Sequence, residues 1–458
     1  MSGKLDVFCK YSLEKIGDVP LTTRSDLDHI IEKAVSAQKK LFRMSAGDRS
    51  DILHTLARLL KENARTLAEL ISKEAGKPIS YALTEVERSQ TTTLFAAEEA
   101  KRFSGEVIPM DFGVGEGKIA LTRRFPVGVI GCISPFNFPL NLALHKIAPA
   151  IAVGCSVVLK PSPYAPLSVF YLKELLKKTE LPEGAVNIMM SENDVAEILV
   201  TDERISMLSF TGSPQVGWKL KSLAGKKKVA LELGGNAAVV VDRDTDIDDA
   251  CSKIATGAFL YSGQICISTQ RVYCHQDIYD KFQKTLISKI NALSVGDPFD
   301  EKTIVGPLID RIHLERIEAW IEHAKSKGSK VLCGGSVLDR EKNIYAPTLL
   351  TDVEPALEVC SEEIFGPVAI IEKVKDLDEG IEKINQSKFG LQAGVFTNSL
   401  CSMKYAFSEL EVGGVMINNI PGFRIDHMPY GGVKESGFGR EGLKYAMEEM
   451  TEPRLLVF

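Results

Sequence analysis

Phe210-Thr-Gly-Ser-Pro-Gln-Val-Gly217 is the stretch on which the fold turns. It follows the apolar run Ile205 to Phe210 and opens a helical pattern from about Pro214. Gly212 permits close backbone approach, and Ser213 offers a hydroxyl and an amide at the helix N-terminus. Such an N-terminus attracts an anion such as a diphosphate. A plain strand-to-helix turn would read the same way, so the stretch needs its surroundings.

Working outward, the same alternation recurs on both sides. Upstream, strands are predicted at 118–125, 127–133, 156–159 and 185–189, with helices at 140–153, from about 167, and at 194–200. A strand at 229–233 follows. Short β-branched runs alternating with helices predict an α/β chain with a parallel sheet covered on both faces. Ligands of such sheets sit at the C-terminal ends of the strands. Three helices precede this series; the second ends at Gly76-Lys-Pro78, and the third covers 83–103. A second α/β series begins near Gly234, with helices at 246–260, 279–293, 313–327 and 377–386 and strands at 271–274, 331–333, 368–374, 393–396 and 415–418. The apolar ending, residues 453–458, reads as a strand that needs a partner edge.

Composition narrows the function classes. The 458-residue chain has room for two or three domains, and its net charge of −6 argues against electrostatic nucleic-acid binding. The nine cysteines are odd in number and scattered, with no metal-ligand spacing, which fits reduced thiols and no bound metal. The N-terminus is too polar for a signal peptide, and the run Ile147 to Leu159 is broken by Pro149 and Gly154. The expected setting is the cytoplasm, away from membranes. Gly113-Val-Gly115-Glu-Gly117 neither follows a buried strand nor opens a helix, and reads as a turn.

Four further stretches carry chemistry. Ser134-Pro-Phe-Asn-Phe-Pro139 holds Asn137 in a turn stiffened by two prolines, suited to an oxyanion donor. Lys160-Pro-Ser162 ends a strand, where Lys160 can reach ribose hydroxyls. Leu231-Glu-Leu-Gly-Gly235 sets Glu232 among apolar residues, which raises a carboxyl pKa toward that of a general base. Phe259-Leu-Tyr-Ser-Gly-Gln-Ile-Cys-Ile-Ser268 places Cys266 just after a glycine break, where a thiol can be exposed. Each residue type also occurs in ordinary structural roles; a free cysteine in an apolar setting is commonly inert.

Taken in order, these stretches resemble the NAD(P)-dependent aldehyde dehydrogenase superfamily, as do Glu362-Glu-Ile-Phe-Gly-Pro367 and Pro429-Tyr-Gly-Gly-Val-Lys-Glu-Ser-Gly-Phe-Gly-Arg440. The chain is most similar to the compact lactaldehyde, sulfolactaldehyde and phosphonoacetaldehyde dehydrogenase group. The resemblance implies Cys266 as nucleophile, Glu232 as general base and Asn137 as oxyanion donor. It implies Lys160, Ser162, Gly212, Ser213, Glu363 and Phe365 as contacts for NAD or NADP. The implied fold has a Rossmann-like cofactor domain (1–109 and 126–233), an α/β catalytic domain (234–435) and a small β oligomerisation element (110–125 and 436–458). A homodimer or homotetramer is expected, with the terminal strand pairing across subunits.

The departures from the family pattern bear on specificity. Pro163 stands where NAD-selective members often carry a glutamate, so both NAD and NADP remain open as cofactors. Asn236 replaces a common lysine, and Ile265 stands where an arginine can precede the nucleophile. His145 and Arg424 fall near positions where pocket aromatics often lie, which predicts that they bind the polar or anionic end of a short aldehyde. The rival readings are a CoA-acylating aldehyde dehydrogenase, which would not need Glu232, and a catalytically silent binding or structural protein on the same fold.

Overall fold

The structure, a computed structural model, describes residues 3–458. The chain opens with an antiparallel hairpin, Lys4–Phe8 and Lys15–Pro20, ahead of the first helix. The periodicity of the first segment pointed only to helices. The hairpin strands bury few side chains, so their apolar alternation is faint. The first helix, Arg24–Arg43, is capped by Thr23, whose hydroxyl and Asp26 form a reciprocal capping box.

The first sheet has the strand order Gly437–Phe438, Lys228–Glu232, Ile205–Thr211, Val129–Ile133, Ser156–Lys160, Val186–Ile188. Its last five strands pair in parallel. The order reverses beside Val129–Ile133: later strands add first on one side and then on the other. A crevice opens at such a switch point, beyond the C-terminal ends of the strands. Helix Pro139–Val153 lies against this sheet, and helices Ala46–Glu62, with a leucine face, and Ile79–Ala100, with a largely alanine and threonine face, pack onto that helix in the same core. The helix expected over 194–200 is two short turns, Asn193–Ala196 and Ile198–Thr201.

The second sheet has seven strands, in the order Lys330–Cys333, Thr348–Thr351, Val368–Val374, Arg271–His275, Ala238–Val241, Gln392–Phe396, Gly414–Ile417. Two of these, Ala238–Val241 and Thr348–Thr351, escaped the sequence reading. Both are four-residue, fully buried strands with no alternation to mark them.

The third sheet joins Val107–Ile108, Ala120–Pro126 and the terminal strand Thr451–Val457. The terminal strand thus finds a partner edge within its own chain, running antiparallel to Ala120–Pro126 over seven residue pairs. Leu455, Leu456, Val457 and Phe458 nevertheless stay exposed. The preceding stretch returns to the first unit: Gly437–Phe438 edges its sheet, and Leu443, Ala446 and Met447 lie in its core. Gly113–Gly115 forms a short turn, and Val114 is fully exposed. No helix among the described residues is long and apolar enough to cross a membrane.

Candidate active site

Two cavities meet at Cys266. The larger, about 650 Å³, sits over the C-terminal ends of the first sheet and includes Asn137, Lys160, Ser162, Gly212, Ser213, Glu232, Glu363 and Phe365 in its walls. The smaller, about 150 Å³, is walled by Arg88, Phe138, Tyr261, Arg424 and Tyr430 among others. Asn137, Glu232 and Cys266 line both.

Cys266 is placed by a strained turn. Tyr261, Ser262 and Gly263 all have left-handed backbones, with φ of 52°, 56° and 66°. For the two non-glycine residues this conformation costs about 1–3 kcal/mol each and persists only when the surroundings enforce it. Here the Tyr261 hydroxyl donates to the Ala75 carbonyl at 2.9 Å and the Ser262 hydroxyl to the Gly306 carbonyl at 2.7 Å. The Gln264 side chain accepts from the Ile309 amide at 2.9 Å. Gly263 is required because a Cβ there would strike the Gly366 carbonyl. Gly235 is required on the other side, where a Cβ would strike the carbonyl of Cys266 itself.

Asn137 is held as firmly. Its amide nitrogen donates to the Gln264 carbonyl at 3.0 Å, and its oxygen accepts from the Phe138 amide at 3.1 Å. An amide NH₂ has two donors, so one remains for a ligand. The Cys266 backbone N–H donates to no protein acceptor among the described residues. The helix that follows Asn137 is anchored at its N-terminus by Glu85, whose carboxylate accepts from the amides of Leu140 at 3.0 Å and Asn141 at 3.2 Å. Buried Lys77 pairs with the same carboxylate and lies 3.6 Å from the centre of the Phe138 ring.

The electrostatics differ from residue to residue. Burial pushes the Cys266 thiol up to about 11, opposed by a hydrogen bond to Tyr430. The Tyr430 hydroxyl lies 3.1 Å from Cys266 Sγ. Burial, reinforced by the charge of Glu441, raises the Glu232 carboxyl well above the usual range, as the apolar context suggested. Glu232 Oε2 has no protein hydrogen-bond partner. For Glu441, burial would raise the carboxyl, but Lys146 at 3.1 Å together with the charge of Arg424 holds it well below that range.

The structure separates the two residues expected to hold the substrate's polar end. Arg424 lines the smaller cavity, buried, with its guanidinium 3.5 Å from the centre of the Tyr430 ring. His145 lies behind it, in the wall of neither cavity. His145 Nε2 faces Asp426 Oδ1 at 3.0 Å, and its Nδ1 faces Arg424 Nη2 at 2.9 Å. A guanidinium only donates, so Nδ1 accepts, and the hydrogen of the imidazole sits on Nε2 toward Asp426. His145 therefore supports Arg424 from below. Asp426 also binds Arg88 at 2.7 Å, and this fixes a second guanidinium at the cavity.

Arg88, Asp426, Tyr430, Glu441 and Lys146 were not singled out from the sequence. Tyr430 stands inside a quoted motif and Glu441 directly follows it, which was a usable signal. Arg88 and Asp426 are 338 residues apart, and nothing local marks either.

The larger cavity fits a dinucleotide. Ser213 caps the helix Pro214–Leu223 without a side-chain bond to it, which leaves first-turn amides available to a diphosphate. Lys160 is buried with no carboxylate partner among the described residues, and burial lowers its pKa. Glu363 accepts from the Gly235 amide at 3.0 Å, and burial lifts its carboxyl to about 7. The Asn236 amide donates to the carbonyls of Cys360 at 3.1 Å and Glu362 at 2.8 Å, anchoring the loop that carries Glu363.

The sequence profile of the aldehyde dehydrogenase family matches residues 1–456. The chain is 42% identical to a 3-sulfolactaldehyde dehydrogenase of Priestia aryabhattai over 99% of this chain and 94% of that protein. It is 40% identical to a lactaldehyde dehydrogenase of Methanococcus aeolicus, covering 99% and 97%. Among solved structures it resembles glyceraldehyde-3-phosphate dehydrogenase GapN from Methanocaldococcus jannaschii, complexed with NADP, with 40% identity, a TM-score of 0.95, and 100% and 99% of the two chains covered. The chain belongs to the aldehyde dehydrogenase family and is an NAD(P)-dependent enzyme.

Proposed function

We propose that the enzyme oxidises a short aldehyde with a polar or anionic end to its carboxylic acid, and that Arg424 and Arg88 bind that end. The observation that carries the reading is a buried guanidinium beside the thiol: Arg424 lines the cavity with Cys266, and its Nε has no hydrogen-bond partner among the described residues, Asp426 Oδ1 standing 3.8 Å away. An unsatisfied buried donor of this kind is stabilised by an acceptor from a ligand. A cavity of about 150 Å³ suits a small molecule. The similar proteins act, by their names, on sulfolactaldehyde, lactaldehyde and glyceraldehyde 3-phosphate, three short polar aldehydes.

In this reading Cys266, as thiolate, attacks the aldehyde carbon, and the oxyanion is held by the free Asn137 N–H and the Cys266 backbone N–H. NAD(P), when bound in the larger cavity, supplies the hydride acceptor. Lys160 and Glu363 would hold its ribose hydroxyls, Phe365 would lie beside the nicotinamide ribose, and Gly212 and Ser213 would take the diphosphate, with Ser162 beside Lys160. Glu232 then takes a proton from the water that releases the acid. A buried carboxyl of raised pKa beside the thiol favours hydrolysis over transfer to CoA.

The decisive experiment is a panel of hydroxy-, sulfo-, phospho- and carboxy-aldehydes assayed with NAD and with NADP, without CoA. Acid formation with at least one short anionic or hydroxylated aldehyde is expected. Activity confined to apolar aldehydes, or dependent on CoA, would sink the reading.

We also place the enzyme in a reducing, cytoplasmic setting, supported by nine unpaired cysteines, and in a homo-oligomer. Support for the oligomer is the exposed apolar row Leu455 to Phe458 on the edge strand of the third sheet. Light scattering should give a multiple of the chain mass, and a deletion of 451–458 should reduce it.

A further inference from the structure

A third cavity, of about 310 Å³, shares no residue with the two that meet at Cys266. It lies where the start of helix Ala46–Glu62, the end of helix Ile79–Ala100 and strand Ala120–Pro126 converge. Three arginines line it, Arg49, Arg123 and Arg124, and no aspartate or glutamate does. None of the three forms a salt bridge with any described residue. In a chain where acidic residues outnumber Lys and Arg, this local excess of positive charge has no carboxylate in the cavity wall, and the nearest acidic influence on Arg49 is Asp48.

The guanidiniums are held in place by neutral groups. Arg49 donates from Nε to the Ala152 carbonyl at 2.9 Å and from Nη1 to the Met44 carbonyl at 2.6 Å. Arg124 donates from Nη1 to the Glu448 carbonyl at 3.2 Å and to Thr451 Oγ1 at 3.1 Å. Arg123 makes no hydrogen bond among the described residues and stands 5.5 Å from the centre of the Phe125 ring. Burial and the charge of Arg123 both act against Arg49's proton and outweigh the opposing influence of Cys155 and Asp48. Like charges drawn around one space repel, and an anion placed among them converts that repulsion into attraction. Guanidinium donors suit phosphate oxygens, and three of them match a tetrahedral dianion better than a single planar carboxylate.

We propose that this cavity is a binding site for a phosphate group, either inorganic phosphate or a small phosphate monoester, separate from the catalytic cavities. The bound anion would tie helix Ala46–Glu62 to strand Ala120–Pro126 and, through Arg124, to the start of the terminal strand.

The test is calorimetric titration of the intact enzyme with inorganic phosphate, at constant ionic strength, with NAD and NADP both saturating so that the cofactor's own anion contacts are filled. A parallel titration uses glycerol phosphate. Saturable binding is expected, weakened about tenfold or more in Arg123→Ala. Arg49→Gln should weaken it likewise, while Arg424→Ala should not. Arg123 is exposed, so its removal does not threaten folding. Tighter binding of the ester, or of free phosphate, would identify which of the two the site takes. The proposal is overturned if phosphate does not bind saturably, or if it binds Arg123→Ala and Arg49→Gln as tightly as the wild type. It is equally overturned if binding is lost only in Arg424→Ala, or if Arg123→Ala changes the oligomer mass while phosphate binds neither form, because a second copy would then supply the missing negative charge.

Discussion

The two cavities that meet at Cys266 are built differently. The larger is made of strand ends and the turns that leave them: Ser134 to Asn137, Lys160 to Pro163, Thr211 to Ser213 and Glu232 to Gly234. Its positive groups are a helix N-terminus, Lys160, Lys219 and Arg316. The smaller is backed by a network in which Arg88, Arg424 and Lys146 pair with Asp426 and Glu441 and the His145 ring bridges Arg424 to Asp426. Topology produces the first cavity, since any chain wound this way opens a crevice there. Pairing between residues far apart produces the second, and it is correspondingly particular to this chain.

Substitutions at the shared residues should disable both cavities at once and have the largest effects. Cys266→Ala is expected to lower aldehyde-dependent NAD(P)H formation by about 10⁴-fold or more. Glu232→Gln is expected to lower steady-state turnover by about 10²–10⁴-fold while still acylating, so that mass spectrometry finds the acyl group on Cys266. Asn137→Ala should reduce kcat by about 10²–10³-fold, the effect of losing one oxyanion donor. A small loss there would mean that the backbone N–H suffices.

Arg424→Ala separates the cavities. It should reduce kcat/KM for anionic aldehydes by about 10²-fold, with a much smaller loss for neutral ones and unchanged affinity for the dinucleotide. Equal losses for both aldehyde classes would show that Arg424 is structural and that the smaller cavity does not select charge.

Tyr430→Phe probes the seam between thiol and charge network. The wild-type thiol is pushed up to about 11, so alkylation by iodoacetamide should climb about tenfold per pH unit through neutrality. Removing the Tyr430 hydroxyl withdraws a hydrogen bond from the thiolate, so the profile should move to higher pH and the rate at fixed pH fall about tenfold. An unmoved profile would reduce Tyr430 to packing.

The smallest effect is one of stability. A carboxyl raised in the folded state stabilises the protein below the ordinary glutamate range, and that contribution is lost as pH rises toward the folded value. Glu232→Gln should therefore lose less stability than the wild type as pH rises above the ordinary glutamate range, measured by urea denaturation.

The legibility of the site follows the same division. Asn137, Lys160, Gly212, Ser213 and Glu232 were readable because each stands at or just beyond a strand end, where a turn with proline or glycine leaves its mark in the sequence, whereas Glu363 and Phe365 came only from the family resemblance. The assignment of His145 shows where this stops. Its place on the helix after Asn137 was readable, but whether its ring reaches the cavity depends on Arg424, which arrives from 279 residues away and lies in front of it. The N-terminal hairpin and the strands Ala238–Val241 and Thr348–Thr351 were missed for a related reason. Short strands that are wholly buried or barely buried lack the two-residue alternation that announces a strand.

The sequence by itself determined the alternation that makes the two α/β units, the nucleophile's turn and the order of the chemistry-bearing stretches. These rest on local preferences: left-handed glycine, proline-stiffened turns, and buried runs between polar ones. Only the tertiary structure decided which charges meet. It put Arg88 and Asp426 together, set Tyr430 against the thiol, placed His145 behind Arg424 and gathered three arginines around a cavity without a carboxylate. Burial removes water from such groups, and their pKa values and partners are then set by neighbours in space, whatever their distance along the chain.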